Sequence, residues 1–292
     1  MKRVRRLELR TERKVDELLV GRWHAAFKGR GMEFEEVRPY VEGDDVRLID
    51  WNVTARAGKP YIKSMREERE MSVMLLVDAS PSMRFGSSDR SKWEMVTELA
   101  ATIGLSAVRN NDRVGLSACG AEGDMRLPSR TGMKHILRII RELLVLETHQ
   151  DPSSRSVNDG FLRDAMERIS SRRDGRHVVF LISDFREQGF EKPLRVLGRA
   201  HDVIPVVVED PIELRLPAGG LVRLKDSETG RMRWIDLTTS RARRQVQDLI
   251  EQHRQYLEVL FTRSATPAVW LNTAEDFMDP LRKFLELRRN VS

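Results

Sequence analysis

Asp78, Ser80 and Ser82 put one carboxylate and two hydroxyls within five residues, directly after the apolar run 73–77. A small, hard oxygen cluster of this kind suits Mg²⁺ or Mn²⁺. Mg²⁺ takes octahedral oxygen ligation and keeps several waters, so it needs few protein ligands. A second apolar run, 178–182, leads straight into Ser183 and Asp184. If the two runs are neighbouring strands, the Asp184 carboxylate reaches the same crevice, directly or through water. Asp78, Ser80, Ser82 and Asp184 are therefore the candidate metal ligands. The plainer alternative is that an Asp or Ser at a strand-to-helix junction only caps the helix. Two strand ends that each carry an Asp favour the metal.

Catalytic patterns are missing around these residues. A phosphatase of the haloacid dehalogenase type needs a second Asp two positions after the first, where Ser80 stands. No Gly-x-Ser-x-Gly elbow surrounds Ser80 or Ser82. The nearest approach to a phosphate-binding Gly-x4-Gly-Lys loop, 86–92, has Ser91 in place of the second glycine. The six histidines (24, 135, 149, 177, 201 and 253) show no His-Glu-x-x-His spacing, and His177 and His201 each precede an expected strand. The expectation is a protein that is not an enzyme. The competing reading, a metal-dependent phosphoester hydrolase using Asp78 and Asp184, lacks a general base.

Stepping outward, the elements that must hold these residues alternate strand with helix. Strand-length apolar runs at 73–77 and 178–182 read as central parallel strands covered on both faces. Ser91 and Glu94 have the spacing of a capping box, and Trp93, Val96, Ala100, Ile103 and Ala107 mark one helical face. Asn110, Asn111 and Asp112 end that helix. Further strands are expected at 114–118, at the edge over 125–127, at 203–208 and near 268–271. Helices are expected at 132–146, 161–169, 192–200, 240–262 and 275–289. The pattern predicts an α/β fold, a doubly wound and mostly parallel sheet. Runs 221–225 and 232–237 flank the turn 226–230, a hairpin signal.

Composition narrows the class. The chain has 292 residues, about two-fifths of them hydrophobic, a net charge of +6 and one cysteine. A lone Cys119 excludes an internal disulfide framework and a multi-cysteine zinc site, and it reads as a small buried hydrophobe. No apolar run approaches the roughly 18–20 residues of a membrane span, and no signal-peptide core follows the first four residues. The expectation is a cytoplasmic protein with no membrane span. Nucleic-acid binding is an alternative suggested by the net charge, but 45 acidic residues are interspersed among 51 basic ones.

Several longer motifs carry a resemblance. They are Phe27-Lys28-Gly29-Arg30-Gly31-Met32-Glu33-Phe34, Gly43-Asp44-Asp45-Val46-Arg47 and Ile49-Asp50-Trp51-Asn52-Val53-Thr54-Ala55-Arg56. Further along come Glu67-Glu68-Arg69-Glu70, Leu76-Val77-Asp78-Ala79-Ser80-Pro81-Ser82-Met83 and Ile182-Ser183-Asp184-Phe185. In this order they resemble the bacterial von Willebrand factor A-like family catalogued as domain of unknown function fifty-eight. The resemblance implies a von Willebrand A-like fold with a metal-ion-dependent adhesion site, and association with MoxR-type AAA+ ATPases. The residue pattern itself sets apart an N-terminal accessory segment at 1–70, where spaced leucines predict a helix over 7–20 and Gly29, Gly31 and Gly43 punctuate short strands of a small β-rich layer. The main domain would then occupy 71–292, with a hairpin insertion at about 212–238.

The adhesion pattern carries a middle-loop threonine about five residues before an Ala-Leu pair. Here Ala165-Met166 stands for the pair, and the count falls on Gly160. Thr148, Ser154, Ser156, Asn158 and Asp159 are the nearby oxygens, and the choice among them stays open. The implied function is a protein-binding adaptor whose metal accepts a partner's carboxylate, working with a MoxR-like ATPase. In the segment around Trp51, Asp44, Asp45, Asp50, Arg47 and Arg56 are expected to pair with one another and brace it.

Overall fold

The computed structural model describes residues 33–66, 71–120, 124–149, 160–215, 219–225 and 231–289. The helix expected over 7–20, the motif 67–70, the turn 226–230 and the middle-loop oxygens of 154–159 lie outside these residues. So does the side chain of Thr148.

The chain divides into two compact units, Phe27–Glu70 and a larger one containing Met71–Ser292. In the small unit, β1 (Glu33–Pro39) pairs antiparallel with β2 (Tyr61–Arg66), and α1 (Trp51–Ala57) lies between them in sequence. The Asp50 carboxylate accepts from the backbone N–H groups of Asn52 and Val53 and so starts α1, and Gly58 ends it in the left-handed region at φ 69°. The expected cross-linking is only partly formed. Arg47 pairs with Asp45 at 2.8 Å, but Asp44 takes the guanidinium of Arg38 at 2.7 and 2.9 Å. Asp50 serves as the helix cap, which makes Trp51 the first helical residue, and its side chain is 70% exposed.

The larger unit runs β3 (Ser72–Asp78), α2 (Lys92–Arg109), β4 (Arg113–Cys119), β5 (Met125–Arg130), α3 (Met133–His149) and α4 (Phe161–Ser170). It continues with β6 (Val178–Ser183), α5 (Glu191–Ala200), β7 (Asp202–Glu209) and the single turn α6 (Pro211–Leu214). The hairpin β8 (Leu221–Lys225) and β9 (Met232–Asp236) follows, then α7 (Ser240–Arg263), β10 (Val269–Asn272) and α8 (Met278–Arg289). Six strands form one sheet in the order β10-β7-β6-β3-β4-β5. All neighbours are parallel except β5, which runs antiparallel along the edge beside β4. The expected doubly wound, mostly parallel α/β sheet is present.

Strand pleating explains the buried runs. Met74, Leu76, Val179 and Leu181 pack with Leu162, Ala165, Met166 and Ile169 of α4, Leu194 and Leu197 of α5, and Leu257 and Phe261 of α7. The alternating residues Val73, Leu75, Val77, Phe180 and Ile182 point the other way and are also buried. Each such side chain removed from water contributes about 1.5–3 kcal/mol. The Ser91–Glu94 capping box forms as the spacing implied, and the Trp93 indole donates to Leu143 O at 3.1 Å, tying α2 to α3. Cys119 is fully buried at the end of β4. Among the described residues, no helix is long and apolar enough to cross a membrane.

Candidate functional site

Strand order reverses at β3. The chain leaves it for β4 and β5 on one side and returns to β6 on the other. Open α/β sheets bind ligands at such a reversal, outside the carboxyl ends of the strands. The register pairs Val77 with Ile182, so Asp78 and Ser183 end adjacent strands. Ser183 Oγ donates to Asp78 Oδ2 at 2.6 Å across that junction.

The loop after β3 is shaped locally. Ser80 N–H donates to Asp78 Oδ1 at 2.9 Å, turning the chain into a 3-10 turn over Pro81–Arg84. Ser80 Oγ and Ser82 Oγ lie 3.0 Å apart. Met83, in the same turn, is fully buried. The end of β4 supports the loop closely, with Ala79 N–H donating to Cys119 O at 2.7 Å. A Cβ on Gly120 would come within 2.7 Å of Ala79 O, so only glycine allows this approach.

The Asp184 loop is strained. Phe185 has φ +54°, a region that a bulky residue enters at a cost of about 1–3 kcal/mol. Two contacts hold it there: its N–H donates to Ser183 Oγ at 2.8 Å, and its ring packs against Phe190 and Phe261 at 5.4 and 5.2 Å. Two residues further on, Glu187 accepts from the N–H groups of Leu162 and Arg163, closing the first turn of α4.

The structure thus brings Asp78, Ser80, Ser82 and Asp184 to one sheet edge, but it also places residues there that were not anticipated. Lys92, the first residue of α2, is 0% exposed. Its ammonium donates to Asp184 Oδ2 at 2.9 Å and to both Glu213 carboxylate oxygens at 2.8 and 3.0 Å. An ammonium has three donors, and all three are used on carboxylates. Glu213 comes from α6, where it completes a capping box with Asp210. Asp210 is itself buried and accepts from Ser87 N–H and from Thr273 Oγ1, drawing the loops after β3, β7 and β10 together.

Lys92 had a sequence signal. A cation in the first turn opposes the helix dipole, which favours anions there. A Lys next to Trp93 at a helix start is therefore placed for something other than the helix. For Glu213 the signal was the Asp-Pro-x-Glu cap at 210–213.

The electrostatics follow from burial. Asp78 is 7% exposed, and its carboxyl is pushed up to about 7, first by desolvation and then by the charge of Asp184. The bonds from Ser183 and Ser80 offset this only in part. Burial depresses the Lys92 ammonium, but Asp184 and Glu213 outweigh it and hold its pKa above the ordinary value. Around Asp78, therefore, negative charge is short of a counter-ion. The oxygens able to hold a small cation are those of Asp78, Ser80 and Ser82, with Oδ1 of Asp184. Among the described residues no three His, Cys, Asp or Glu side chains are disposed to share a metal, so a centre here needs the serine hydroxyls.

A family model described as "Protein of unknown function DUF58" matches residues 36–256. The uncharacterized protein Rv1480 of Mycobacterium tuberculosis is 30% identical over 287 residues, 98% of this chain and 89% of its own length. Uncharacterized protein MAV169 of Mycobacterium avium is 26% identical over 165 residues, 56% of this chain and 94% of its own. Among solved structures, BatB from Bacteroides thetaiotaomicron superposes with a TM-score of 0.44 at 14% identity, over 75% of this chain and 99% of that one. The SpRpn10 VWA domain gives 0.37 at 12% identity, over 74% and 95%.

Proposed function

The chain belongs to the family described as protein of unknown function DUF58, and from that premise we propose that it is a non-catalytic, protein-binding adaptor with a metal-ion-dependent adhesion-type site. The observation that carries the reading is the Asp78 carboxyl, buried beside Asp184 at the reversal point of the sheet and pushed up to about 7. A group whose ionisation is opposed by burial and by a like charge gains from a cation more than an exposed carboxylate does. The donor set fits Mg²⁺ or Mn²⁺. Asp78, Ser80 and Ser82 would hold the ion, Asp184 would support it, and waters would complete the shell. The ion, when bound, supplies a Lewis-acidic position for a carboxylate offered by another protein. The chain's own residues keep that position ordered: Gly120 lets the serine loop lie close, and Phe185 fixes the turn that carries Asp184.

The family resemblance adds a MoxR-like AAA+ ATPase as the working partner, in assembly or maturation of a client complex. Calorimetry with Mg²⁺ and Mn²⁺ tests the site. We expect binding by the wild type and none by Asp78→Ala, and equal or absent heat in both removes the metal. Recovery of the ATPase on affinity purification from the native cell tests the partner, and repeated failure counts against it.

One observation favours a second reading. A carboxyl near pH 7 can act as a general base, which suits a metal-dependent phosphoester hydrolase using Asp78 and Asp184. Against it, Asp184 is engaged by Lys92, and the hydrogen bonds to the Asp78 carboxylate come from Ser80 and Ser183. Turnover of a phosphoester that disappears in Asp78→Asn decides for it.

A further inference from the structure

Lys92 is the least expected side chain at this edge. It stands in the first turn of an 18-residue helix, where the dipole disfavours a cation, and it is wholly removed from water. Such a placement persists only when partners over-determine it. Here they do, because three donors meet three carboxylate oxygens within 3.0 Å. These oxygens come from two separate loops, after β6 and after β7. Asp184 consequently has one oxygen committed, and among the described residues its other, Oδ1, accepts only a long bond from the Arg186 N–H at 3.4 Å. Asp78 lies across the junction, joined to the same strand end through Ser183 and to no cation among the described residues. Lys92 spends its three donors on Asp184 and Glu213, and none of them reaches Asp78.

We propose that Lys92 is a positioning residue that decides which oxygens a divalent ion can reach: its ammonium holds Asp184 Oδ2 and keeps that carboxylate from gripping, through both oxygens, an ion held by Asp78, Ser80 and Ser82. This rests on the adhesion-type reading and deepens it. The tethered cation takes the place that a second metal-binding carboxylate oxygen would otherwise fill. It also repels the ion, since both are positive and share Asp184. Metal binding is thereby weakened and a ligand position is left for the partner's carboxylate.

The test is Mn²⁺ calorimetry on the whole chain, with thermal melts in EDTA and in Mn²⁺. The proteins are the wild type, Asp78→Ala, Glu213→Gln, Lys92→Met and the double variant Lys92→Met/Glu213→Gln. The double variant removes one of the two carboxylates that lose their partner, and so lessens the destabilisation that Lys92→Met alone would bring. Removing the ammonium frees Asp184, and we expect Mn²⁺ affinity to rise about tenfold or more in the folded Lys92 variants, with Mn²⁺ restoring the melting temperature that EDTA exposes as lowered. Glu213→Gln alone leaves Lys92 on Asp184 with one negative charge fewer, and there the affinity falls. A Lys92 that merely braces the loops predicts lost stability and unchanged or weaker binding in every variant, and that result overturns the proposal. If the wild type binds Mn²⁺ through Asp78 while the double variant binds no tighter, this inference alone fails. If the wild type does not bind Mn²⁺ at all, the adhesion-site reading and this inference fall together.

Discussion

The two ends of strands β6 and β7 bury polar side chains in opposite ways. At the amino end, His177 and His201 precede the strands, both buried, with rings 5.2 Å apart. His201 Nε2 faces Ile169 O at 3.0 Å and its Nδ1 accepts from His177 N–H at 3.3 Å, an arrangement that suits a neutral ring. His177 Nε2 meets Asp174 at 3.1 Å. At the carboxyl ends of β6, β7 and the neighbouring β3, Lys92 bridges Asp184 and Glu213, and Asp78 is buried with its carboxyl pushed up to about 7. The amino end is a strut in which His201 is held by backbone groups and His177 by Asp174, with His177 Nδ1 buried and without a partner among the described residues. The carboxyl end buries carboxyl groups that oppose one another's ionisation, and under the proposed reading that contrast separates a structural polar cluster from a ligand site.

The sharpest way to break the contrast is to remove the ammonium. Lys92→Ala leaves two carboxylates facing each other without a partner, and breaking such a buried pair costs about 3–5 kcal/mol. Chemical denaturation in EDTA reads it, and a loss under about 1 kcal/mol would make Lys92 an ordinary surface contact.

Asp78→Asn should go the other way. The folded carboxyl titrates near 7 and the unfolded one near its ordinary value of 3.8. The folded state therefore holds a proton that the unfolded state releases, and stability declines as pH rises from about 4 to about 7. Asparagine removes that decline. We expect the metal-free variant to be more stable than wild type at pH 8, on the order of 2 kcal/mol, and no more stable at pH 4. A variant less stable at both pH values would place Asp78 among the struts.

Glu187→Ala removes the acceptor for two N–H groups at the start of α4, a loss of about 1 kcal/mol. It should weaken Mn²⁺ binding less than Asp78→Ala does, as calorimetry on both variants would show.

The smallest effect belongs to the histidine end. Burial is the main reason the His201 imidazole is held below its ordinary value, and the Ile169 carbonyl offsets it only in part. The unfolded ring takes up a proton that the folded ring resists, so this contribution is present above about pH 6.5 and is lost as pH falls below it. His201→Gln should cost about 1 kcal/mol at pH 7, flatten the decline between pH 7 and 5, and leave Mn²⁺ affinity unchanged. Altered metal binding in that variant would erase the distinction between the two ends.

Much of the larger unit was legible in order. The apolar runs 73–77 and 178–182 are central strands because only a strand covered on both faces can be apolar at every position. The Ser91–Glu94 box marked a helix start to the residue because that signal is local. The small unit was less legible. Asp44 turned to Arg38 instead of its nearer neighbours, and Asp50 caps the helix that Trp51 opens, choices that depend on turn geometry over a few ångströms.

The sequence by itself determined the alternation of strand and helix, the capping signals and the presence of an Asp at each of two strand ends, because these are written in residues close together along the chain. Only the tertiary structure decided that β6 returns beside β3, that Ser183 bridges to Asp78, and that Lys92 reaches across to residues 92 and 121 positions away. The reason is physical: which charge a buried carboxylate faces depends on how the strands are ordered and how completely water is excluded, and neither is recorded in the spacing of residues.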